Sequence, residues 1–295
     1  MGLLLVNERR GSIMKNHFFK IDGTYFQHGV PIDAVIPGLK NLQKIFDNSY
    51  KVLSGKQRLT QKDRDVFRLV ATDFKQGSFI SNFDIVVSTM QLTLPMLGAT
   101  SVNEIWPLVK NSYDFLKAVY CGAQSNPDRR VIEHHDNNSV TVNNGNQTII
   151  YNAPVYQIAK ANISGFRGLD GMLDNNRIET IQIGKDKVPE IEMKSKNKGQ
   201  FDIPISVQEN PEDLEGEIYN FNKYEKTGRI NIFPNQAVPS ETYKFKVIGD
   251  QSIDDYILSM TENKVKAKCM VELSHDPLDV TKINSLLMIN VNSNF

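Results

Sequence analysis

Little in this chain declares a reaction. Cysteine is nearly absent: Cys121 and Cys269 are the only two in 295 residues, and no CxxC pair exists. A thiolate zinc site needs clustered cysteines, so that class is excluded, and two reduced, buried thiols are the expected state. Histidine is scarce, with five in the chain, and the densest cluster is Glu133-His134-His135-Asp136. Neighbouring side chains on an extended chain point to opposite faces, so two adjacent histidines share one ion poorly. The cluster reads as a solvated loop. His275 has an acidic neighbour in "SHDP", but no GxSxG elbow stands anywhere in the chain, so a strand-end turn is expected there.

Phosphate-binding loops are missing as well. There is no GxxxxGK[ST] and no strand–GxGxxG–helix unit, and the glycines of "GFRGLDGML" (165–173) read as a turn. Glu190 and Glu192 project to one side of a strand, yet a single pair lacks the further oxygen ligands that a divalent cation requires. Asp63 and Asp65 flank Arg64 in "KDRD" without other ligands beside them. No catalytic residue, no metal ligand and no cofactor is expected, and the chain does not read as an enzyme.

A surplus of charge is also lacking. Lys plus Arg is 34 and Asp plus Glu is 34, for a formal charge of zero. A wholesale electrostatic grip on nucleic acid needs a basic excess, which leaves room only for a local patch. Weak self-repulsion mildly favours association. Apolar runs stay far short of a membrane span. The opening "MGLLLVNERRGSIMKNHFF" places its short apolar run before its basic residues, the reverse of a signal peptide. Residues 1–14 are therefore expected to be a disordered leader, or sequence upstream of a true start at Met14, and the protein is expected in the cytoplasm.

What is present is periodicity. "HFFKIDGTYFQHGVPID" alternates around Gly23 and Gly29, which predicts two short strands and a turn. Leu39, Leu42, Ile45, Phe46, Tyr50 and Leu53 recur at helical spacing, with Pro37 suited to the first turn and Gly55 to the end. "DVFRLVATDF" and "GSFISNFDIVV" alternate as a hairpin joined through Lys75, Gln76 and Gly77. Residues 90–122 are apolar and predicted helical, with a kink or break at Pro107. The stripe of Val102, Ile105, Trp106, Val109 and Leu116 is either core or an oligomer interface. A polar connector follows from 122, then the ribbon "SVTVNNGNQTIIYN", in which Val140 and Val142 alternate before "NNGN", and Ile149 and Tyr151 after it. A two-stranded ribbon is marginal alone, so its edges or apolar face must find a partner. A short helix is expected from Pro154.

From 176 onward eight candidate strands come at short intervals, from "RIETIQIG" to "SLLMINV", with one helix, "SIDDYILSM", capped by Ser252. The fold class is therefore α+β: a leader (1–14), an N-terminal α+β domain (15–125), a linker with a β-ribbon arm (126–175), and a C-terminal barrel- or sandwich-like domain (176–295). Within the last, "EIYNFNKYEKTG" alternates Tyr219 and Phe221 with asparagines, sets Tyr224 one step out of phase, and adds Lys223 and Lys226. That face is a barrel core, a protein-docking surface, or a base-stacking platform as in oligonucleotide-binding folds. Tyr151 and Tyr156 near the ribbon are open to packing or docking alike.

The order "GVPIDAVIPGLKNLQKIF" then "DVFRLVATDFKQGSFISNFDI", with its Gly77-Ser78-Phe79 turn, followed by the Gly145–Ile150 ribbon and a β-rich end, resembles a loosely defined family of bacterial and phage proteins of unknown function. Length and layout are also similar to the phage-encoded inhibitors of Gabija, a bacterial nuclease–helicase defence complex. That resemblance implies a non-enzymatic homo-oligomer that grips a host defence complex with an extended arm and blocks its handling of DNA. Val140, Val142, Ile149, Tyr151, Tyr156, Tyr219, Phe221 and Tyr224 would then be the docking residues. The alternative expectation is a single-stranded nucleic-acid-binding accessory protein built on the barrel.

Overall fold

The structure, a computed structural model, describes residues 12–75, 79–87, 105–125, 132–135, 139–143 and 148–292. The chain divides into two compact units: residues to 122 together with 131–202, and 123–130 together with residues from 203 onward.

The first unit is built on five strands: β1 (Ser12–Asp22), β2 (Phe67–Lys75), β3 (Phe79–Val87), β7 (Thr180–Lys185) and β8 (Val188–Lys194). They form an antiparallel sheet in the order β2-β3-β1-β7-β8. Two short strands were expected at its start, but β1 is one long strand, and Gly23 leads into a 3-10 turn at Thr24–Phe26. Its first residues correct the expected leader: Ser12, Ile13 and Met14 pair with Val87, Val86 and Ile85.

Helix α1 (Ile32–Ser54) begins five residues before Pro37 and buries Leu42, Ile45, Phe46, Tyr50 and Leu53 of the stripe that the periodicity predicts, while Leu39 is half-buried. Gly55 closes it in the left-handed region at φ 68°, with Lys56 N–H bonded to the Lys51 carbonyl at 2.9 Å, a Schellman ending. A Cβ on Gly38 would stand 2.7 Å from Ile21 and 3.2 Å from Phe19, so α1 lies directly on β1. Between α1 and β2, the short α2 (Gln61–Val66) carries a capping box formed by Thr60 and Asp63.

Helix α3 (Ile105–Ser125) has Pro107 in its first turn, where a missing N–H costs nothing, and the helix continues past it without the expected break. Helix α4 (Ala153–Met172) is longer than the short helix expected, and it runs straight through the stretch read as a turn. The reason is packing: a Cβ on Gly165 would approach Ile45 Cγ1 to 2.6 Å, so the glycine allows α4 and α1 to touch closely. The connector is partly ordered too: β4 (Ile132–His134), β5 (Val140–Asn143) and β6 (Thr148–Tyr151) form a separate antiparallel sheet.

The second unit is a barrel. Strands β10 (Glu212–Asn222), β11 (Thr227–Ile232), β12 (Thr242–Val247), β14 (Lys282–Asn292) and β13 (Val265–Ser274) pair in that order, and β13 returns to β10. All neighbours are antiparallel except β12 and β14. Helix α5 (Ile253–Ser259), capped by Ser252 as the sequence predicts, joins β12 to β13. The short β9 (Ile205–Val207) lengthens one edge of β13. Inside lie Ile218, Ile230, Phe245, Tyr256, Cys269, Leu286 and Met288. Each large side chain so buried contributes on the order of 2 kcal/mol by removal from water. The α+β class and the C-terminal barrel hold, but the division falls at Asp202–Ile203 instead of at 176, because β7 and β8 belong to the first sheet.

Candidate functional site

The two faces of the barrel wall carry charge differently. On the β10–β13 side, Asp213 stands opposite Lys268 and Glu215 opposite Lys266, while Lys264 bonds Glu215 at 2.7 Å. Opposite charges are matched across the strands. Hydrogen bonding from Lys264 holds the Glu215 carboxyl below its usual range.

On the β11–β12 side, alternation turns Ile230, Ile232, Tyr243, Phe245 and Val247 inward. Arg229, Asn231, Thr242, Lys244 and Lys246 are exposed on the outside. Arg229 stands directly opposite Lys244, and Lys246 opposite Thr227. Among the described residues, none of these three cations makes an ion pair. Like charges placed directly across a ladder destabilise it, and nothing in the fold demands them here.

The β10–β11 turn borders this face. The Asn222 side chain accepts hydrogen bonds from the Tyr224 and Glu225 N–H groups at 3.0 and 3.3 Å, an Asx turn that projects Tyr224 into solvent at 86% exposure. Lys223 Nζ lies 5.1 Å from the Tyr224 ring centre. The β13–β14 loop holds Asp276 and Asp279, the latter paired with Lys282 at 2.6 Å, and ties His275 Nε2 to Ser206 Oγ at 2.6 Å.

The aromatic candidates separate. A register shift between Ile218 and Asn220 breaks the alternation of β10. Tyr219 consequently points outward, half exposed, while Phe221 packs on the core, stacked on Phe245 at 6.0 Å and Tyr256 at 5.4 Å. Phe221 is a core residue, so its expected place among docking residues is corrected. A bulge cannot be read from an alternation that continues unbroken in the letters.

The first strand of the ribbon is also interior. Val140, Thr141 and Val142 are buried, and Tyr151 meets Phe115 of α3 edge-on at 5.0 Å, as Tyr156 does at 5.9 Å. Ile149 is half-buried and Ile150 exposed. The described residues of the ribbon form a sheet packed on α3 where the sequence suggests a projecting arm; its turn, with Gly145, lies outside the described residues. The oligomer-interface candidates Ile105, Trp106, Val109 and Leu116 lie in the same core, where Trp106 stacks on Phe46 at 6.2 Å. Val102 lies outside the described residues.

The remaining ionisable candidates have separate partners. Glu190 accepts from Trp106 Nε1 at 2.5 Å and pairs with Lys110 at 3.8 Å. Glu192 bonds Lys194 at 2.6 Å and Gln182 at 2.8 Å, contacts that hold its carboxyl low. His135 bonds Thr141 Oγ1 at 2.6 Å, while His134 meets the Tyr156 ring. Cys269 is buried, its thiol pushed up to about 12 by desolvation, whereas Cys121 is exposed, a correction to the two buried thiols expected. Among the described residues no group of three or more His, Cys, Asp and Glu could hold a metal, and no helix is long and apolar enough to cross a membrane. No known protein family, curated protein or solved structure matches the chain.

Proposed function

We propose that this chain is a non-catalytic binding protein whose barrel holds single-stranded nucleic acid on the β11–β12 face. The observation that carries the reading is the Arg229–Lys244 pair with Lys246 beside it, cations that make no ion pair among the described residues, bordered by Tyr224 and Tyr219. The barrel order supports it. Third and fifth strands run parallel, and a helix joins the third to the fourth, the arrangement of oligonucleotide-binding barrels. Those barrels meet their ligands on the second and third strands and the adjoining loops. Phosphates would lie along the cation row, and an unstacked base on the Tyr224 ring. Zero net charge is no obstacle, because Asp213 and Glu215 of β10 stand opposite Lys268 and Lys266 of β13, and Glu217 is the one acidic side chain of β10 that stands opposite β11.

Fluorescence anisotropy with a labelled oligo-dT, at about 50 and 200 mM salt, tests this reading. We expect binding whose salt slope falls by about 1.4 when Arg229→Gln and Lys244→Gln are combined, since each phosphate neutralised on a single strand contributes about 0.7. Tyr224→Ala should weaken binding by about 1–3 kcal/mol without changing that slope. Absence of binding at the lower salt rejects the reading. A further outcome is retention of the chain on a bacterial nuclease–helicase defence complex, abolished in the Arg229/Lys244 variant. That result would make the face a protein-docking surface, the partner that the family resemblance implies.

A further inference from the structure

A second positive surface lies in the first unit, and of its residues the sequence singles out Arg64 alone, in "KDRD". Along α1, Lys40, Lys44, Asp47 and Lys51 follow one another at i, i+4, i+7 and i+11, and so share a stripe on the side away from the buried one. With Arg58 and Arg64 from the segment after α1, they line a groove of about 520 Å³. Five cations thus face one carboxylate. That carboxylate is occupied: Arg64 grips Asp47 with both terminal nitrogens, at 2.5 and 2.6 Å, and Gln43 donates to it at 2.6 Å. Lys40, Lys44, Lys51 and Arg58 form no ion pair among the described residues. Lys51 has a structural reason to be there, since a cation suits a helix C-terminus. Lys40 and Lys44, one turn apart, repel each other.

The rest of the lining decides the ligand. It consists of the amides of Gln43, Asn48 and Gln57 and a single apolar side chain, Leu59; no aromatic ring is among the lining residues. A single strand draws much of its affinity from stacking, which this groove cannot supply. A duplex needs no stacking and carries twice the charge per length. From Lys40 to Lys51 the helix rises about 16 Å, over which a duplex presents about ten phosphate charges and one strand about five.

We propose that the α1 groove is a sequence-independent site for the backbone of double-stranded nucleic acid. It stands on observations separate from those at the barrel. Lys44 and Arg58 would contact phosphates, Lys40 and Lys51 would extend the contact along the helix, and Arg64 would hold Asp47 away from the ligand.

The test uses the full chain and a labelled duplex of about 20 base pairs of arbitrary sequence. Binding should weaken at least tenfold in the Lys40→Gln, Lys44→Gln double variant. The salt slope should fall by about 1.8, since each phosphate that a lysine neutralises on a duplex contributes about 0.9. Oligo-dT binding at the barrel should be unchanged in that variant, and duplex binding unchanged in the Arg229/Lys244 variant, so failure at one site is distinguishable from failure at the other. Both lysines are exposed, and Trp106 fluorescence reports that the unit remains folded. Three results overturn the proposal: no duplex binding by the native chain, a double variant that binds duplex as tightly as the native chain, or loss of duplex binding only in the barrel variant. Full displacement of duplex by equimolar inorganic tripolyphosphate also overturns it, because the site would then be one for small phosphates.

Discussion

Asp63 shows how much one side chain can hold. It accepts from the Thr60 N–H and hydroxyl at 2.7 Å each and from Lys56 Nζ, so it closes the turn between α1 and α2. The Lys56 hydrogen bond is the largest cause that lowers its carboxyl from 3.8 to about 2, followed by the Thr60 bonds. A carboxyl depressed on folding adds stability that is complete above the unfolded value and is lost as pH falls through the folded one. Asp63→Asn should therefore cost about 1 kcal/mol at neutral pH, typical of a lost cap. Urea unfolding should show that difference shrinking between pH 4 and pH 2. A constant difference across that range would mean the carboxylate charge contributes nothing. "KDRD" displays the residue, but the lysine seven positions earlier that engages it is met only once the chain turns.

At the scale of elements, the three-stranded sheet of β4, β5 and β6 makes the sharpest claim. Register sets Val142 opposite Ile149 and Thr141 opposite Ile150. Val142 faces the interior at 1% exposure, whereas Ile150 is 70% exposed. Val142→Ala should lower stability by about 1–2 kcal/mol, since it opens a cavity in a packed core. Ile150→Ala should stay within about 0.5 kcal/mol, as surface changes do. Equal, small effects in thermal melts would restore the free arm that the polar flanks suggest. Elements governed by local pattern are legible in the letters: the α1 stripe, the Ser252 cap and the strands of the barrel. Those decided by a neighbour are not. Gly165 reads as a turn until Ile45 is seen against it, and Tyr219 reads as a partner of Phe221 until β11 imposes the bulge. The α1 groove is hidden for a similar reason, since lysines at helical spacing read as an ordinary solvated face and gain meaning only beside Arg58 and Arg64.

For the molecule as a whole, the pairing of β1 with β7 brings Asp22 against Thr180 and draws two strands out of the β-rich half. No local composition announces so distant a partner, which is why the boundary at 202 differs from the one the strand run suggests. The chain forms two compact units, and its only tryptophan reports on one of them: Trp106 is buried in the first unit, and the barrel has none. A ligand stabilises what it binds by RT ln(1 + [L]/Kd), about 2.7 kcal/mol at a hundredfold excess over Kd. On a barrel of this size that corresponds to a midpoint rise of about 14 °C. Saturating oligo-dT should therefore raise a calorimetric transition by that amount while leaving the Trp106 fluorescence midpoint where it was. Duplex should move the Trp106 midpoint instead. If oligo-dT shifts both signals together, the two interiors unfold as one cooperative body, and tryptophan emission no longer separates the two binding faces.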